Sequence, residues 1–188
     1  MSQIQTTIAA KEMELRSLIG DLIYGSENES ISEVVGNLLI AKGQTLSIAE
    51  SCTGGHIGHL ITSVPGSSKY FEGGIITYSN QVKINNLGVN SALIEKYGVV
   101  SKEVAAAMAD QIKQEFNTTF GIGVSGVAGP LGGTSSTPLG TVCIAISGPY
   151  GTKSYTEVLG RSRERTIQVA SLYALNYLRK EILRTDAC

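Results

Sequence analysis

The chain has 188 residues, of which 42% are hydrophobic and 16% charged, with a formal net charge of −1. That length and balance fit one globular domain with a short appendage, not a disordered chain. The small charge provides no global basic field for nucleic acid or an anionic membrane. No apolar run approaches bilayer length and no charged start leads into an apolar signal core, so the reading is cytoplasmic.

Ile8, Leu15, Leu18 and Leu22 recur at helical spacing on a polar background. Residues 25–30 read as a polar loop. Ser30 and Glu33 form a capping-box pattern ahead of Ile31, Val34, Val35, Leu38 and Leu39, which predicts a helix over about 31–42. Residues 1–30 are therefore read as an appendage of helix and linker, and 31–188 as the main domain. The apolar stripe of the appendage needs a surface to pack on, either the main domain or another copy.

Thr45 to Ala49 is a short strand, and Thr53 to Leu60 is compatible with a helix. Pro65 to Ser68 is a turn, and Ile75 to Tyr78 a further strand. Asn80 is a candidate cap for a helix reaching about Leu87, and Ser101 for a longer one over 101–116. Residues 121–125 and 140–146 are unbroken apolar runs, as strands covered on both faces require. A Gly/Ser/Thr/Pro loop over 126–139 separates them. Lys153 to Leu159 fits an edge strand, and a helix over about 164–183 closes the chain. This alternation predicts a three-layer α/β/α sandwich around a mostly parallel, mixed sheet, with the helical appendage at the N-terminus. Cys52, Cys143 and Cys188 have no C-x-x-C spacing, so free thiols are expected and no metal site.

Ser51 lies where a buried strand hands over to a helix. In such folds ligands bind beyond the carboxyl ends of the strands. Backbone N–H groups at a helix start favour negative charge, so those near Cys52 and Thr53 could hold an oxyanion, and Gly54 and Gly55 allow close approach of a ligand. Ser51 could instead be only the helix cap. Cys52 is a rival nucleophile, although a buried thiol is more often a packing group. His56 and His59 sit on the same following helix and are poorly placed as a base for Ser51. Lys83 and Tyr78 follow the next strand on the same rim. A desolvated lysine can act as base, and a tyrosine hydroxyl can relay a proton or bind an oxyanion; a solvated lysine and a half-buried aromatic are the alternatives. The loop carrying Ser125, Gly126, Gly133 and Thr134 reaches the same rim and can offer amides and hydroxyls to an anion, without a P-loop ending. Arg161, Arg163 and Arg165 precede the last helix, and one of them could fork onto a phosphate.

Ala49-Glu-Ser-Cys-Thr-Gly-Gly55, Val64-Pro-Gly-Ser-Ser68 with Phe71-Glu-Gly-Gly74, Tyr78-Ser-Asn-x-x-Lys83, Leu87-Gly-Val89, Gly98-x-Val-Ser101, Gly126-x-Ala-Gly-Pro130 with Gly132-Gly-Thr134, and Pro138-x-Gly-Thr-Val142 follow one another in order. Together they resemble the C-terminal domain family of CinA, the competence/damage-inducible protein, over about 31–183. Residues 19–25 resemble the connector before that domain in full-length members, whose larger N-terminal domain is not expected here.

The resemblance implies a cofactor-free amidohydrolase converting nicotinamide mononucleotide to nicotinate mononucleotide and ammonia. It implies Ser51 as nucleophile, with Tyr78 and Lys83 as catalytic partners, and ligand contacts at Thr53, Gly54, Ser125, Gly126 and Arg163. A homodimer or higher homo-oligomer is expected, with a pyridine mononucleotide as substrate and no nucleic-acid or membrane partner. Ser125 stands where the family usually has threonine, and Arg161-Ser162 where it usually has glycine-aspartate. A non-catalytic domain that binds a pyridine nucleotide is the alternative, and a hydrolase of another amide or ester a second.

Overall fold

The computed structural model describes residues 3–20, 23–25, 28–160 and 162–184; Leu22, Arg161 and Cys188 lie outside these. The elements in chain order are α1 (Gln3–Ile19), α2 (Ile31–Lys42), β1 (Leu46–Glu50), α3 (His56–Thr62), β2 (Phe71–Ile76), α4 (Asn80–Asn85), α5 (Ser91–Tyr97), α6 (Lys102–Glu115), β3 (Phe120–Gly126), β4 (Thr141–Gly148), β5 (Gly151–Val158) and α7 (Arg163–Arg184).

Where the sequence supplies a cap, the helix starts there. The Ser30 hydroxyl accepts from the Glu33 N–H, and the Glu33 carboxylate accepts from the Ser30 N–H at 2.7 Å. Ser101 accepts from the Val104 N–H and starts α6. Two starts differ from the sequence reading, and one helix was not foreseen by it. The cap of α4 is Ser79, not Asn80, and accepts from the Val82 N–H. α3 begins at His56, because residues 51–55 form a turn first. α5, capped by Asn90, is only seven residues long and so too short for its apolar stripe to repeat. β2 starts at Phe71, hidden in the sequence by Gly73 and Gly74. A Cβ at Gly74 would stand 2.6 Å from the Ile48 carbonyl oxygen, so glycine lets β2 lie close against β1.

The sheet has the order β2-β1-β3-β4-β5. β2 and β3 flank β1 in parallel, while β3, β4 and β5 form an antiparallel meander. Helices α2, α3 and α7 cover one face and α6 the other, with α5 against α6. The expected mixed α/β/α sandwich is therefore the fold. All eight residues of β4 are buried. A strand between two helical layers reads as one apolar run whichever way it points, so its antiparallel pairing was not legible. Leu46, Ile122, Ile144, Leu175 and Leu178 fill the larger core cluster, each burial contributing about 2 kcal/mol. By contrast α1 buries none of its residues. Ile4, Ile8, Leu15 and Leu18 are all exposed, so among the described residues the predicted stripe stays bare within one copy.

This topology gathers one rim. From β1 the chain crosses to β2 on one side, then returns to β3 on the other. The carboxyl end of β1 is thus the switch point at which open α/β sheets bind ligands. The ends of β2 and β3 flank it. β5 ends at the same rim, because Val158 pairs with Thr141 at the start of β4, and so α7 begins there.

Candidate active site

Ser51 follows directly on β1, its N–H bonded to the Val124 carbonyl of β3. Its side chain faces Lys83. The Lys83 ammonium donates to Ser51 Oγ at 3.0 Å and to the Thr77 carbonyl at 2.7 Å. Lys83 is 1% exposed. No carboxylate pairs with it among the described residues. Burial pushes its pKa below the usual lysine value, while the nearby Cys52 pulls the other way. A buried amine without a counterion favours its neutral form, as a base requires.

Thr77 explains how Lys83 gets there. β2 ends at Ile76, and the Thr77 N–H continues the ladder onto the Glu50 carbonyl at 2.7 Å. Thr77 is therefore buried, its carbonyl turned to Lys83, and the next residue points away. Tyr78 is 61% exposed. Its hydroxyl accepts from Arg163 at 2.9 Å and makes no hydrogen bond with Ser51 or Lys83. The structure thus joins Ser51 to Lys83 directly and places Tyr78 with Arg163. Arg163, first residue of α7, also donates to the Gly129 carbonyl at 3.2 Å. Its guanidinium ties the end of the β2 segment to the loop after β3, flanking the end of β1.

The expected oxyanion donors need one correction. The first amides of α3 do not face Ser51's reaction space, because the Glu50 carboxylate occupies them. Glu50 Oε2 accepts from the N–H groups of Gly55 and Ile57 at 3.0 and 3.1 Å, and Oε1 from that of Gly58 at 2.8 Å. The free donors sit earlier, in the turn. No acceptor from another residue meets the N–H groups of Cys52 and Thr53 among the described residues. The Thr53 hydroxyl is also buried without a partner. Gly54 closes the turn through its N–H onto the Ser51 carbonyl.

Cys52 is buried, and desolvation pushes its thiol up to about 12. A thiol so rarely ionised is a poor nucleophile. Gly126 lies against it: a Cβ there would sit 2.9 Å from Cys52 Sγ and 2.8 Å from the Thr141 carbonyl oxygen. The Ser125 hydroxyl donates to the Val99 carbonyl at 2.7 Å, anchoring the loop's root. Gly133 packs on Leu139, and Thr134 closes a turn with Ser136 and Thr137, so neither is hydrogen-bonded to the Ser51 turn. His56 bonds Ser171 on α7 at 2.9 Å, a contact between helices. Among the described residues no group of three or more His, Cys, Asp or Glu is gathered to hold a metal.

Sequence reasoning missed Glu50 and Thr77. An acidic residue closing an apolar strand, Leu46-Ser-Ile-Ala-Glu50, was the available signal: a buried carboxylate must find donors. Thr77 acts through its carbonyl, which no side-chain pattern reveals.

The model of the CinA C-terminal domain family matches residues 28–182. A CinA-like protein of Acaryochloris marina is 42% identical over 182 residues, covering 96% of this chain and 43% of that protein. One from Synechococcus elongatus is 46% identical over 178 residues, covering 94% and 42%. The chain thus spans less than half the length of these curated relatives. Among solved structures, competence damage-inducible protein A (ComA) of Klebsiella pneumoniae is 30% identical with a TM-score of 0.79, covering 81% of this chain and 95% of that one. The competence/damage inducible protein CihA of Agrobacterium tumefaciens is 31% identical with a TM-score of 0.74, covering 82% and 97%.

Proposed function

The chain belongs to the CinA C-terminal domain family, and from that premise we propose that it is an amidohydrolase releasing ammonia from nicotinamide mononucleotide to leave nicotinate mononucleotide. The observation that carries this reading is the buried Ser51–Lys83 pair with no carboxylate beside it. With Lys83 neutral, its amine keeps the bond to the Thr77 carbonyl and takes the Ser51 proton. Ser51 Oγ attacks the carboxamide carbon, and the carbonyl electron pair moves onto oxygen. The N–H groups of Cys52 and Thr53 receive that oxyanion, each such donor contributing about 3 kcal/mol to the transition state. Lys83 passes the proton to the departing nitrogen, the C–N bond breaks and ammonia leaves. Water then attacks the acyl-enzyme, giving a proton to Lys83, which returns it to Ser51 Oγ as the C–Oγ bond breaks and the acid product departs.

The unpartnered Thr53 hydroxyl is available to the substrate amide. Among the described residues Arg163 donates to two neutral acceptors, the Gly129 carbonyl and the Tyr78 hydroxyl. A substrate phosphate would offer it a stronger, charge-assisted partner, with Tyr78 orienting the guanidinium. The Gly126–Thr134 loop borders that space. A cytoplasmic setting and self-association belong to the same proposal. Among the described residues no helix is long and apolar enough to cross a membrane, and the bare stripe of α1 suits a second copy.

The test is ammonia release from nicotinamide mononucleotide by the purified chain beside Ser51→Ala. The wild type is expected to release ammonia and nicotinate mononucleotide together, and the variant neither. A folded wild type that binds the nucleotide without turnover would favour a binding domain instead. Comparable rates on the dephosphorylated riboside would contradict the role given to Arg163.

A further inference from the structure

We propose that Glu50 is the positioning residue of this site: its carboxylate, by clamping the start of α3, sets the turn that aims Ser51 and the Cys52 and Thr53 amides. The proposal rests on the amidase reading above and deepens it. α3 has no cap of its own kind, since Gly55 precedes it and provides no side chain. Its orphan amides would ordinarily be met by the residue at the cap. Here they are met from five to eight residues earlier in the chain, by a carboxylate 1% exposed. Three amide donors on two oxygens make a closed ring of chain from Glu50 to Gly58, with Ser51, Cys52 and Thr53 at its apex. Within that ring, Gly54 donates to Ser51 and His56 to Thr53. The amides of Cys52 and Thr53 are left over as a consequence.

The same residue holds the other half of the site through its backbone. The Glu50 carbonyl accepts from the Thr77 N–H at 2.7 Å and from the Thr77 hydroxyl at 3.3 Å. The Thr77 carbonyl in turn accepts from Lys83. One residue therefore fixes nucleophile, oxyanion donors and the acceptor that orients the base, while touching no reacting atom. Glutamine in its place would put an NH2 group against at least one backbone N–H, a donor facing a donor. The turn would then relax, and a shift near 1 Å at reacting atoms can cost about 100-fold in rate.

The experiment compares wild type, Glu50→Gln and Glu50→Asp in the full chain. Steady-state ammonia release is measured together with amide hydrogen exchange at Gly55, Ile57 and Gly58. In folded Glu50→Gln, kcat is expected to fall about 100-fold with little change in KM, and those three amides to exchange faster. Glu50→Asp, which keeps two acceptor oxygens, should recover part of kcat. A folded Glu50→Gln with unaltered kcat, or with the loss confined to KM, overturns the proposal. Should Glu50→Gln fail to fold, Glu50→Asp decides: faster exchange with unaltered kcat overturns it, and faster exchange with reduced kcat supports it. A wild type that releases no ammonia defeats the amidase reading alone. Glu50 is then judged by phosphonylation of Ser51 with a fluorophosphonate, in which the Oγ–P bond forms, fluoride leaves and Lys83 takes the proton. Slower labelling in Glu50→Gln supports the clamp. Equal labelling, or none in the wild type, overturns it.

Discussion

At the scale of single residues, the proposed function turns on a charge that the fold makes costly to keep. Lys83 is buried beside a hydroxyl and a carbonyl, and burial lowers its pKa from the ordinary value of 10.5. The unfolded chain therefore binds more protons at this site than the folded one between the two pKa values, and stability rises with pH across that window. Below the folded pKa the charged amine destabilises the fold by its full amount. Lys83→Met should accordingly lose nearly all ammonia release while unfolding at a higher temperature than wild type at neutral pH. That difference should shrink as the pH approaches 10.5, which thermal melts over a pH series would show. Ser51→Ala keeps the fold and should cut kcat by at least about 10⁴-fold. Cys52 behaves oppositely to a reactive thiol. With its pKa pushed up to about 12, it should resist iodoacetamide at pH 8 until the chain is unfolded, as mass spectrometry would report. Lys83 was legible as a candidate base because it follows a strand on the right rim. Its partner Thr77 was not, because backbone carbonyls leave no trace in residue identity.

At the scale of elements, capping signals proved more informative than apolar runs. Ser30 with Glu33 and Ser101 each started the helix they announced. Ser30→Ala should cost about 1 kcal/mol, read from denaturant unfolding. The start of α3 was misplaced because its cap comes from Glu50, several residues away, and local patterns see only neighbours. Gly55 is the hinge of that arrangement. Its φ of 99° lies where a side chain is strained, and a Cβ would also stand 3.2 Å from Ile76 Cδ1. Gly55→Ala should therefore lose about 1–2 kcal/mol of stability, with a larger fractional loss of kcat than of fold. Equal kcat in a folded variant would detach the turn from catalysis. The first half of β2 and all of α5 were missed for related reasons: paired glycines mask the start of a strand, and one short helix has no period to detect.

At the scale of the whole molecule, the order β2-β1-β3 matters most, because it brings the ends of three parallel strands to one rim. Alternating strands and helices made that architecture readable. The antiparallel half was not readable, because burial on both faces erases the alternation that direction would leave. α1 stands outside this economy of burial, so deleting residues 3–19 should change the body's unfolding free energy by no more than about 0.5 kcal/mol. If α1 joins copies, the same deletion converts an oligomer to a monomer in a sedimentation measurement. An unchanged mass would place the interface elsewhere. Beneath all of this lies one assertion, that the amine of Lys83 can stand neutral against the Ser51 hydroxyl in the folded protein. Its most direct test is a nuclear magnetic resonance titration of the Lys83 ε-methylene in the intact chain. The account requires a midpoint clearly below 10.5, moving with the pH limb of ammonia release. A midpoint at or above the ordinary lysine value would leave Ser51 without its base.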